Sequence, residues 1–544
     1  MAKPRPRPQL NLRVAHLYDD AAGIPADHWS RLFYEQVYCA FQEEDFADLY
    51  EAGGRAPLSP SLLASLSILQ YMYKASDRVA VENSLMRRDW RIALGRTPEY
   101  EGFDPSVLCT FRQRLVAHQA QRQIFETVLQ RVQELGLLKN HHRVRVDATE
   151  LLADVAVLSR GDLLREALRI VVCDLAKARP KLRRRLDFRR LYEQYGEEVW
   201  LGGSRDSEQK LSDLARDGQL LLRLCGPYEV AGKETLARLL EENFLFAEGQ
   251  DPIPRPPEEL PPEHIATPHE PDAEVGKNGQ KIWTGDKVHI VETIGPAGEP
   301  GFVVDVLTTS PRVPDAVLLP EIMKRLRFRF PQVDTILADS GYASAANSKL
   351  AAALGLNLIS PPRLENTKGI IPASEFRFDF AREVAWCPEG QPSSSWRVGQ
   401  KLHIKFSRPV CRACRRRAEC TTSPSEPRTL TLSADYEQLL SDRERAQRPE
   451  FAKLYSQRAG VEGTISELVH RYGLRRSRYR SGPKRALHSL LSNAALNVRR
   501  LLRALASGSG PQAAIFSIFS SLYRWLWSGF RARPAAFGGV LAAA

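Results

Sequence analysis

Apolar positions divide the chain into helical and extended stretches in a definite order. Over residues 29–117 they recur at helical spacing, which predicts a group of short helices. The alternation in 143–147 (RVRVD) predicts a strand ending at Asp147. Charged amphipathic helices are predicted over 160–250, and the prolines of 251–271 predict a linker. The first half of the chain is therefore mainly helical, with one strand.

The second half alternates strands with helices. Its predicted elements are strands at 287–293 and 301–307, a helix over 314–328, a strand ending at Asp339, a helix over 343–354 and a strand at 356–360. Residues 361–430 have a β-rich, irregular pattern, and two helices follow, the last with an apolar face from Leu487 to Leu505. This order predicts an α/β fold with a mixed sheet flanked by helices.

Length and charge narrow the class of protein. A chain of 544 residues is too long for one core, so we expect two to four domains. The formal charge is +12, and residues 471–505 hold ten Lys/Arg and no Asp or Glu. Such a block predicts a polyanionic partner. Further basic runs lie at 177–190 and 414–417.

Composition also predicts where the protein works. The polar, basic start MAKPRPRPQ does not have the pattern of a secretory signal, and eight scattered cysteines are typical of reduced thiols in a cytoplasm. The apolar segment 513–530 carries Arg524 and is short for a membrane span. We therefore expect a soluble cytoplasmic protein without a membrane partner.

Three side chains near residue 460 have a spacing suited to work on DNA. Tyr455, Arg458 and Glu462 fall at i, i+3 and i+7, on one face of a predicted helix. They could supply a positioning ring, a phosphate contact and a metal ligand. Gly460 and Gly463 flank the carboxylate, which predicts close approach of backbone or ligand there. A plain surface helix is the alternative.

Glu462 joins two aspartates that end predicted strands. Ligands of open α/β sheets gather at the carboxyl ends of strands, so Asp147, Asp339 and Glu462 can converge there. Three carboxylates suit Mg²⁺ or Mn²⁺, and two such ions promote in-line phosphodiester displacement. One aspartate at a strand end is more often a cap or turn residue. The prediction rests on the three acids together with the basic segment.

The chain resembles bacterial insertion-sequence transposases of the DDE type, whose catalytic core is ribonuclease-H-like. The motifs that carry the resemblance are VRVDATELLADV around Asp147, TILADSGYASAAN around Asp339, and Tyr455-x2-Arg458-x3-Glu462 followed by GLRRSRYRS. The family's third motif continues Glu-x6-Lys, whereas this chain has Val469 at the lysine position. His470 or Arg471 could replace that lysine.

The resemblance implies roles for these residues. Asp147, Asp339 and Glu462 would be the catalytic metal ligands, and the DNA-binding residues would be Tyr455, Arg458, Arg471, Arg475, Arg476, Arg478 and Arg480. Water would cut the element's ends, and the freed 3′-hydroxyl would attack target DNA. The implied partners are double-stranded terminal repeats, target DNA and a second copy of the chain, in the bacterial nucleoid. Glu467 lies about 140° from Glu462 around a helix and would face away.

The same patterns predict a domain layout. It comprises a lead-in (1–28), a helical DNA-binding domain (29–140), a ribonuclease-H-like core (141–160, 272–360 and 431–505), a helical insertion with a Pro-rich linker (161–271), a β-rich cysteine-containing insertion (361–430) and an aromatic tail (506–544).

Four cysteines and one histidine leave alternatives open. Cys411 and Cys414 form a CxxC pair, and Cys387 with Cys420 could complete a structural Zn²⁺ site. Four ordinary reduced cysteines are the other interpretation. His289 could face the metal ions from its strand, although a half-buried sheet histidine is the commoner case.

Two other functions fit much of this pattern. One is a catalytically silent DNA-binding protein derived from a transposase, and the other is a metal-dependent nuclease without strand transfer. The presence of all three acids argues against a silent protein, whereas Val469 argues weakly for one.

Overall fold

A group of helices precedes the first strand, as the pattern predicts. The computed structural model describes residues 23–507 except 51–56, 154–157, 199–206, 227, 248, 262, 279–280, 364 and 366–369. The helices are α1 (Trp29–Gln36), α2 (Pro60–Met72), α3 (Asp77–Met86), α4 (Arg88–Ala93), α5 (Ser106–Ala117) and α6 (Gln123–Glu134). The predicted lead-in falls mostly outside these residues, and the aromatic tail falls outside them from residue 508 onward.

Helix starts in this region follow local chemistry. Ser59 caps α2 by accepting a hydrogen bond from the backbone N–H of Leu62, and Pro60 occupies the first turn. Ser76 caps α3 by accepting a hydrogen bond from the backbone N–H of Val79, and Asp77 is the first residue of the helix. The Asp77 carboxylate instead pairs with Arg112 of α5.

The central sheet joins strands from both halves of the chain. Its strands are β1 (Arg143–Leu152), β4 (Glu274–Asn278), β5 (Lys281–Ile294), β6 (Val303–Thr309), β7 (Thr335–Ala338) and β8 (Asn357–Ile359). The order is β4-β5-β1-β7-β8, and β6 also pairs with β5. Strand β5 pairs in antiparallel fashion with β1 and with β6. Strand β7 pairs in parallel with β1, and β8 pairs in parallel with β7. This is the ribonuclease-H-like arrangement, so the fold prediction is confirmed.

Strand β1 is longer than the sequence pattern predicts. It passes Asp147 and ends at Leu152, because antiparallel pairing with β5 continues to Gly285. Gly285 has a φ of 143°, and a Cβ there would lie 2.1 Å from the Leu151 carbonyl oxygen, so the residue must be glycine. Parallel pairing with β7, in contrast, stops at Val146. Asp147 therefore follows the last residue of the parallel pairing, whereas the strand itself continues to Leu152.

The segment between β1 and β4 is helical, as predicted. It contains α7 (Arg160–Ala178), α8 (Leu186–Tyr195), α9 (Glu208–Cys225), α10 (Lys233–Asn243), β2 (Phe244–Leu245) and β3 (Ile253–Pro254). These helices pack around a hydrophobic cluster of their own that includes Leu168, Phe188 and Leu236. The Pro-rich segment after them also packs: Ile265 joins that cluster, and Glu270 is buried.

In the part of the chain that the structure describes, six helices pack against the central sheet or against the N-terminal helices. They are α11 (Asp315–Arg329), α12 (Ala345–Ala353), α15 (Tyr436–Ala446), α16 (Pro449–Tyr455), α17 (Gly460–Tyr472) and α18 (Gly482–Ala506). Apolar residues of α18 such as Leu491 and Leu501 belong to one cluster with Phe33 of α1 and Val146 of β1. The N-terminal helices and the sheet thus share one hydrophobic core.

Residues 370–433 form the predicted β-rich insertion. It contains β9 (Arg377–Asp379), β10 (Val384–Trp386), β11 (Ser393–Val398), β12 (Lys401–Phe406), α13 (Arg408–Arg412), α14 (Arg417–Cys420) and β13 (Thr429–Ser433). A small hydrophobic cluster around Ile404 and Phe406 holds it together. Within the described part of the chain, no helix is long and apolar enough to cross a membrane.

Candidate active site

Strand register sets the two aspartates side by side. Val146 pairs with Ala338 in the parallel β1–β7 ladder, so Asp147 and Asp339 are the next residues on neighbouring strands. Adjacent strands lie about 4.8 Å apart. Each carboxylate accepts one backbone N–H at 2.9 Å, Asp147 from Ala148 and Asp339 from Gly341. The sheet therefore presents two adjacent carboxylates at the end of the parallel pairing.

The segment carrying the third acid is helical, with one tighter turn in its middle. Helix α16 ends at Tyr455, a 3₁₀ turn covers Ser456–Ala459, and α17 begins at Gly460. The backbone at both ends of this turn stays in the right-handed helical region, so the predicted helix continues through it. Arg458 and Glu462 lie within ion-pair distance, as their i, i+4 spacing predicts, and the Glu462 side chain is 68% exposed.

Arg458 lies between two of the acids. Its Nη1 is 3.5 Å from Asp147 Oδ2 and 3.3 Å from Glu462 Oε1. The Arg458 side chain is only 13% exposed, and its buried Nε has no hydrogen-bond partner. Burial raises the pKa of Asp147 above its ordinary value, Arg458 opposes this, and Asp339 and Glu462 add to it. The effect of burial on the pKa of Asp147 thus outweighs the opposing effect of the Arg458 guanidinium.

Tyr455 lies within electrostatic reach of the whole group. Its ring stacks on Phe451 with 6.1 Å between centroids. Burial raises the pKa of its hydroxyl; Arg458 lowers it, and Asp339, Asp147 and Glu462 raise it further. The hydroxyl thus stays protonated at neutral pH and is available as a hydrogen-bond donor. The structure brings together all five motif residues singled out in the sequence.

The glycines beside Glu462 behave differently from each other. A Cβ on Gly460 would lie 1.8 Å from Arg145 Nη1, whereas one on Gly463 would meet nothing within 4 Å. A close approach does occur at Gly460, but the approaching group is an arginine side chain of β1 and not the predicted backbone or ligand. At Gly463 the prediction is wrong, because this glycine faces open space.

A buried network fixes α17 on the sheet. The Glu292 carboxylate of β5 receives hydrogen bonds from Arg145, Thr464 and Arg500. Arg500 also lies 3.5 Å from Glu467. Glu467 is therefore engaged on the side of α17 that faces α18, as its helical offset from Glu462 predicts.

A fourth carboxylate lies beside the site and was missed in the sequence. Gly341 is wedged between Asp315 Oδ2 and Asp339 Oδ1, since a Cβ on it would lie 2.9 Å from each. Lys287 Nζ is 2.8 Å from Asp315 Oδ1. Asp315 follows Pro314 at the start of α11, a position typical of ordinary helix starts, so no local signal marked it.

His289 is a core residue. It is fully buried, its Nδ1 is 2.7 Å from the Tyr342 hydroxyl, and its Nε2 is 3.2 Å from Thr309 Oγ1. Burial lowers its pKa to about 4, so it is neutral at physiological pH. Of the two interpretations, the ordinary sheet histidine fits the structure.

Several arginines of the basic block at 471–505 are neutralised by other parts of the chain. Arg475 pairs with Glu150, and Arg478 donates to the Ala75 carbonyl and lies over the Tyr71 ring. Arg485 is fully buried against Glu270 and Asp286. The partners come from distant positions, so inspection of the local sequence missed them.

Four arginines of the block at 471–505 are exposed: Arg471, Arg476, Arg480 and, near the end of α18, Arg503. The backbone of 475–477 hydrogen-bonds to Leu152 at the end of β1. Val469, at the family's lysine position, is half-buried on α17, whereas the neighbouring His470 and Arg471 are exposed. Exposed positive charge therefore continues from α17 along the end of β1.

The four cysteines named in the sequence meet at a second location. Cys387, Cys411, Cys414 and Cys420 line one cavity of about 510 Å³ in the β-rich insertion. Burial raises the pKa of the Cys420 thiol. Across the described residues, no three His, Cys, Asp or Glu side chains already form a group that could hold a metal ion.

Comparisons with known proteins match two parts of the chain. The family model "Transposase DDE domain" matches residues 386–502, and "Transposase domain (DUF772)" matches residues 21–114. No curated protein matches significantly. A cryo-EM structure of the piggyBac transposase synaptic complex with hairpin DNA is 12% identical, with a TM-score of 0.30, over 89% of this chain and 76% of that chain. The two family matches fall on the N-terminal helices and on the segment that includes Glu462.

Proposed function

We propose, from the premise that this chain belongs to the DDE transposases of insertion sequences, that it cuts DNA at transposon ends and joins them to target DNA. The observation that carries the proposal is the pairing of Val146 with Ala338, which makes Asp147 and Asp339 neighbours. Glu462 lies next to this pair across Arg458. These contacts support a site formed by three acids that are far apart in sequence.

The donor set fits the Mg²⁺ or Mn²⁺ that this chemistry uses. Asp147, Asp339 and Glu462 are hard oxygen ligands, and a single guanidinium lies between Asp147 and Glu462. Burial raises the pKa of Asp147, and the nearby Asp339 and Glu462 carboxylates raise it further. A pair of such ions activates the attacking water or hydroxyl and stabilises the leaving oxygen. These three residues are our proposed ligands.

Arg458 and Tyr455 would position the scissile phosphate. In the free protein the Arg458 guanidinium rests between two carboxylates, where a bound cation would compete with it. Phosphate is a strong alternative partner for arginine, because two parallel hydrogen bonds can form. The protonated Tyr455 hydroxyl can donate to a phosphate oxygen. Both roles rest on side chains that border the three acids.

The exposed arginines suggest a path for the duplex. Arg476 is level with Leu152, five residues beyond Asp147 along β1. At about 3.4 Å per residue this is about 17 Å, or about five base pairs of duplex. We therefore propose that Arg471, Arg476 and Arg480 contact phosphates several base pairs from the cut, whereas Arg475 and Arg478 mainly hold the segment in place.

The remaining expectations follow from the reaction. Joining both ends of an element requires two active sites, so a homodimer on DNA is proposed. DNA as substrate implies a nucleoid-associated cytoplasmic location. None of the three acids lines the cysteine cavity, and we assign the cavity no part in this chemistry.

The test uses duplexes carrying the sequences that flank this gene, with Mg²⁺ or Mn²⁺. Wild type is expected to produce 3′-hydroxyl ends and joined products, and Asp339→Asn neither. Asp334→Asn is the matched control, because Asp334 is an exposed aspartate at the opposite end of β7. Cleavage without joining would identify a nuclease. Binding without cleavage would identify a catalytically silent protein.

A further inference from the structure

The cysteine cavity is assembled from three separate segments. Cys387 follows β10, Cys411 lies in α13 with Cys414 just after it, and Cys420 ends α14. All four side chains are partly buried and line the same cavity. We infer that these four cysteines bind one zinc ion that fastens the β-rich insertion. This inference is independent of the proposed DNA chemistry.

The turn at Cys387 has the form of a metal-binding knuckle. Cys387 N–H donates to the Gln391 carbonyl at 2.9 Å, and Gly390 N–H donates to the Cys387 carbonyl at 2.8 Å. Gly390 has a φ of 75°, which closes the turn. Gln391 N–H then points at Cys387 Sγ, 3.4 Å away. Such outer hydrogen bonds orient a metal-bound thiolate and stabilise its charge.

The CxxC pair is on a short, ordered turn. Cys411 N–H donates to the Ser407 carbonyl at 2.9 Å, and Cys414 N–H donates to the Cys411 carbonyl at 3.4 Å. This three-residue spacing is the usual one for two thiolates that share a zinc ion. Two ligand-bearing turns and one helix end therefore surround a single cavity.

The charges around the cavity suit thiolate ligands. Arg415, Arg417 and Arg428 line it together with one acid, Glu389, which pairs with Arg415 at 3.1 Å. A zinc ion with four thiolates has a net charge of about −2, which these arginines would offset. The sulfurs do not yet form a ligand group, so binding must turn the side chains from the cavity wall toward the ion.

The insertion also has a structural need for such a link. Its buried hydrophobic cluster is small, whereas the helical insertion has a cluster of its own more than twice that size. Small domains with little core are commonly fastened by disulfides or structural metals. Among the described residues every cysteine is free of disulfides. Zinc would supply the missing cross-link between Cys387 and the α13–α14 segment.

The experiment measures zinc in the purified full-length protein by plasma emission spectrometry. Wild type is expected to hold about one zinc per chain, and Cys411→Ser to lose most of it. Cys109→Ser is the matched control, because Cys109 is an exposed cysteine of α5 far from the cavity in sequence. Cys420→Ser is a second ligand variant in case Cys411→Ser fails to fold.

A second measurement needs no variant. A mercurial reagent that titrates thiols should release the zinc in step with the modification of four cysteines, and Co²⁺ in place of zinc should show tetrahedral thiolate absorption. Wild type without zinc, or zinc retained equally by all three variants, would overturn the inference. Neither readout involves DNA, so failure here would leave the cleavage proposal untouched.

Discussion

Charged side chains around the sheet fall into two groups that differ in how completely they are paired. Arg485 is buried between Glu270 and Asp286, and Glu292 is buried between Arg145 and Arg500. Each of these carboxylates is buried and is hydrogen-bonded directly to a guanidinium.

At the end of the parallel pairing, Arg458 Nη1 lies 3.5 Å from Asp147 and 3.3 Å from Glu462, and Asp339 follows the residue paired next to Asp147. Asp339 has no cation partner at ion-pair distance in the described structure, and Glu462 is largely exposed. The buried, hydrogen-bonded clusters hold elements together. The proposed metal ligands differ from them, because Asp339 has no such partner in the described structure and Glu462 is exposed to solvent.

The largest expected effect is the difference in cleavage rate between substitutions of the two glutamates of α17. Glu462→Gln should reduce cleavage by about 10³-fold or more, since a charged ligand becomes neutral. Glu467→Gln should leave the cleavage rate within a few-fold of wild type, because Glu467 lies beside Arg500 and is not one of the proposed metal ligands. Initial rates on a pre-formed protein–DNA complex measure both. Equal losses in the two variants would refute this distinction between the two glutamates.

Next in size is the effect of opening a paired cluster. Arg485→Met leaves Glu270 and Asp286 buried without their cation, which should destabilise the region by about 3–5 kcal/mol. Faster hydrogen–deuterium exchange in α18 and in 263–278 would report it. Arg475→Met is the control: this half-exposed pair with Glu150 should contribute about 1 kcal/mol at most. Similar exchange in the two variants would contradict the comparison.

A smaller effect concerns the exposed arginines. Replacing Arg471, Arg476 and Arg480 by Gln should lower the slope of log affinity against log salt by about 2.7, since each phosphate contact contributes about 0.9. Fluorescence anisotropy on the terminal duplex over a salt series measures this slope. Arg475→Gln should change the slope less, because Arg475 is bound to Glu150. An unchanged slope in the triple variant would show that the DNA lies elsewhere.

The smallest effect is on stability against pH. Burial raises the folded-state pKa of Asp147, so the folded chain holds that proton more tightly than the unfolded chain does. Stability from this group is therefore present at low pH and falls as pH rises through the folded pKa. Without metal, Asp147→Asn should stabilise the protein at neutral pH, with the gain vanishing in acid. Thermal melts across pH would show the opposite sign if Asp147 were instead held by Arg458 as a structural ion pair.

Local periodicity was enough to predict the order of strands and helices and the α/β class. Alternation in 143–147, the apolar run before Asp339 and the apolar face of α18 each encode an element within about ten to twenty residues. Turn and cap chemistry of that kind acts over a few bonds, so it is legible in a linear sequence. The three acids and the motif residues Tyr455 and Arg458 were predicted as a group from spacing and resemblance.

Features that depend on distant partners could be decided only by the tertiary structure. The end of β1 is set by its pairing with β5, about 130 residues later, and the close approach at Gly460 comes from Arg145 of β1. Arg485 is neutralised by Glu270, 215 residues away. Asp315 joins the site through packing against Gly341. Sequence determined which side chains were present and in what order, whereas packing decided which charges were left unpaired, because ion pairing depends on distances in space.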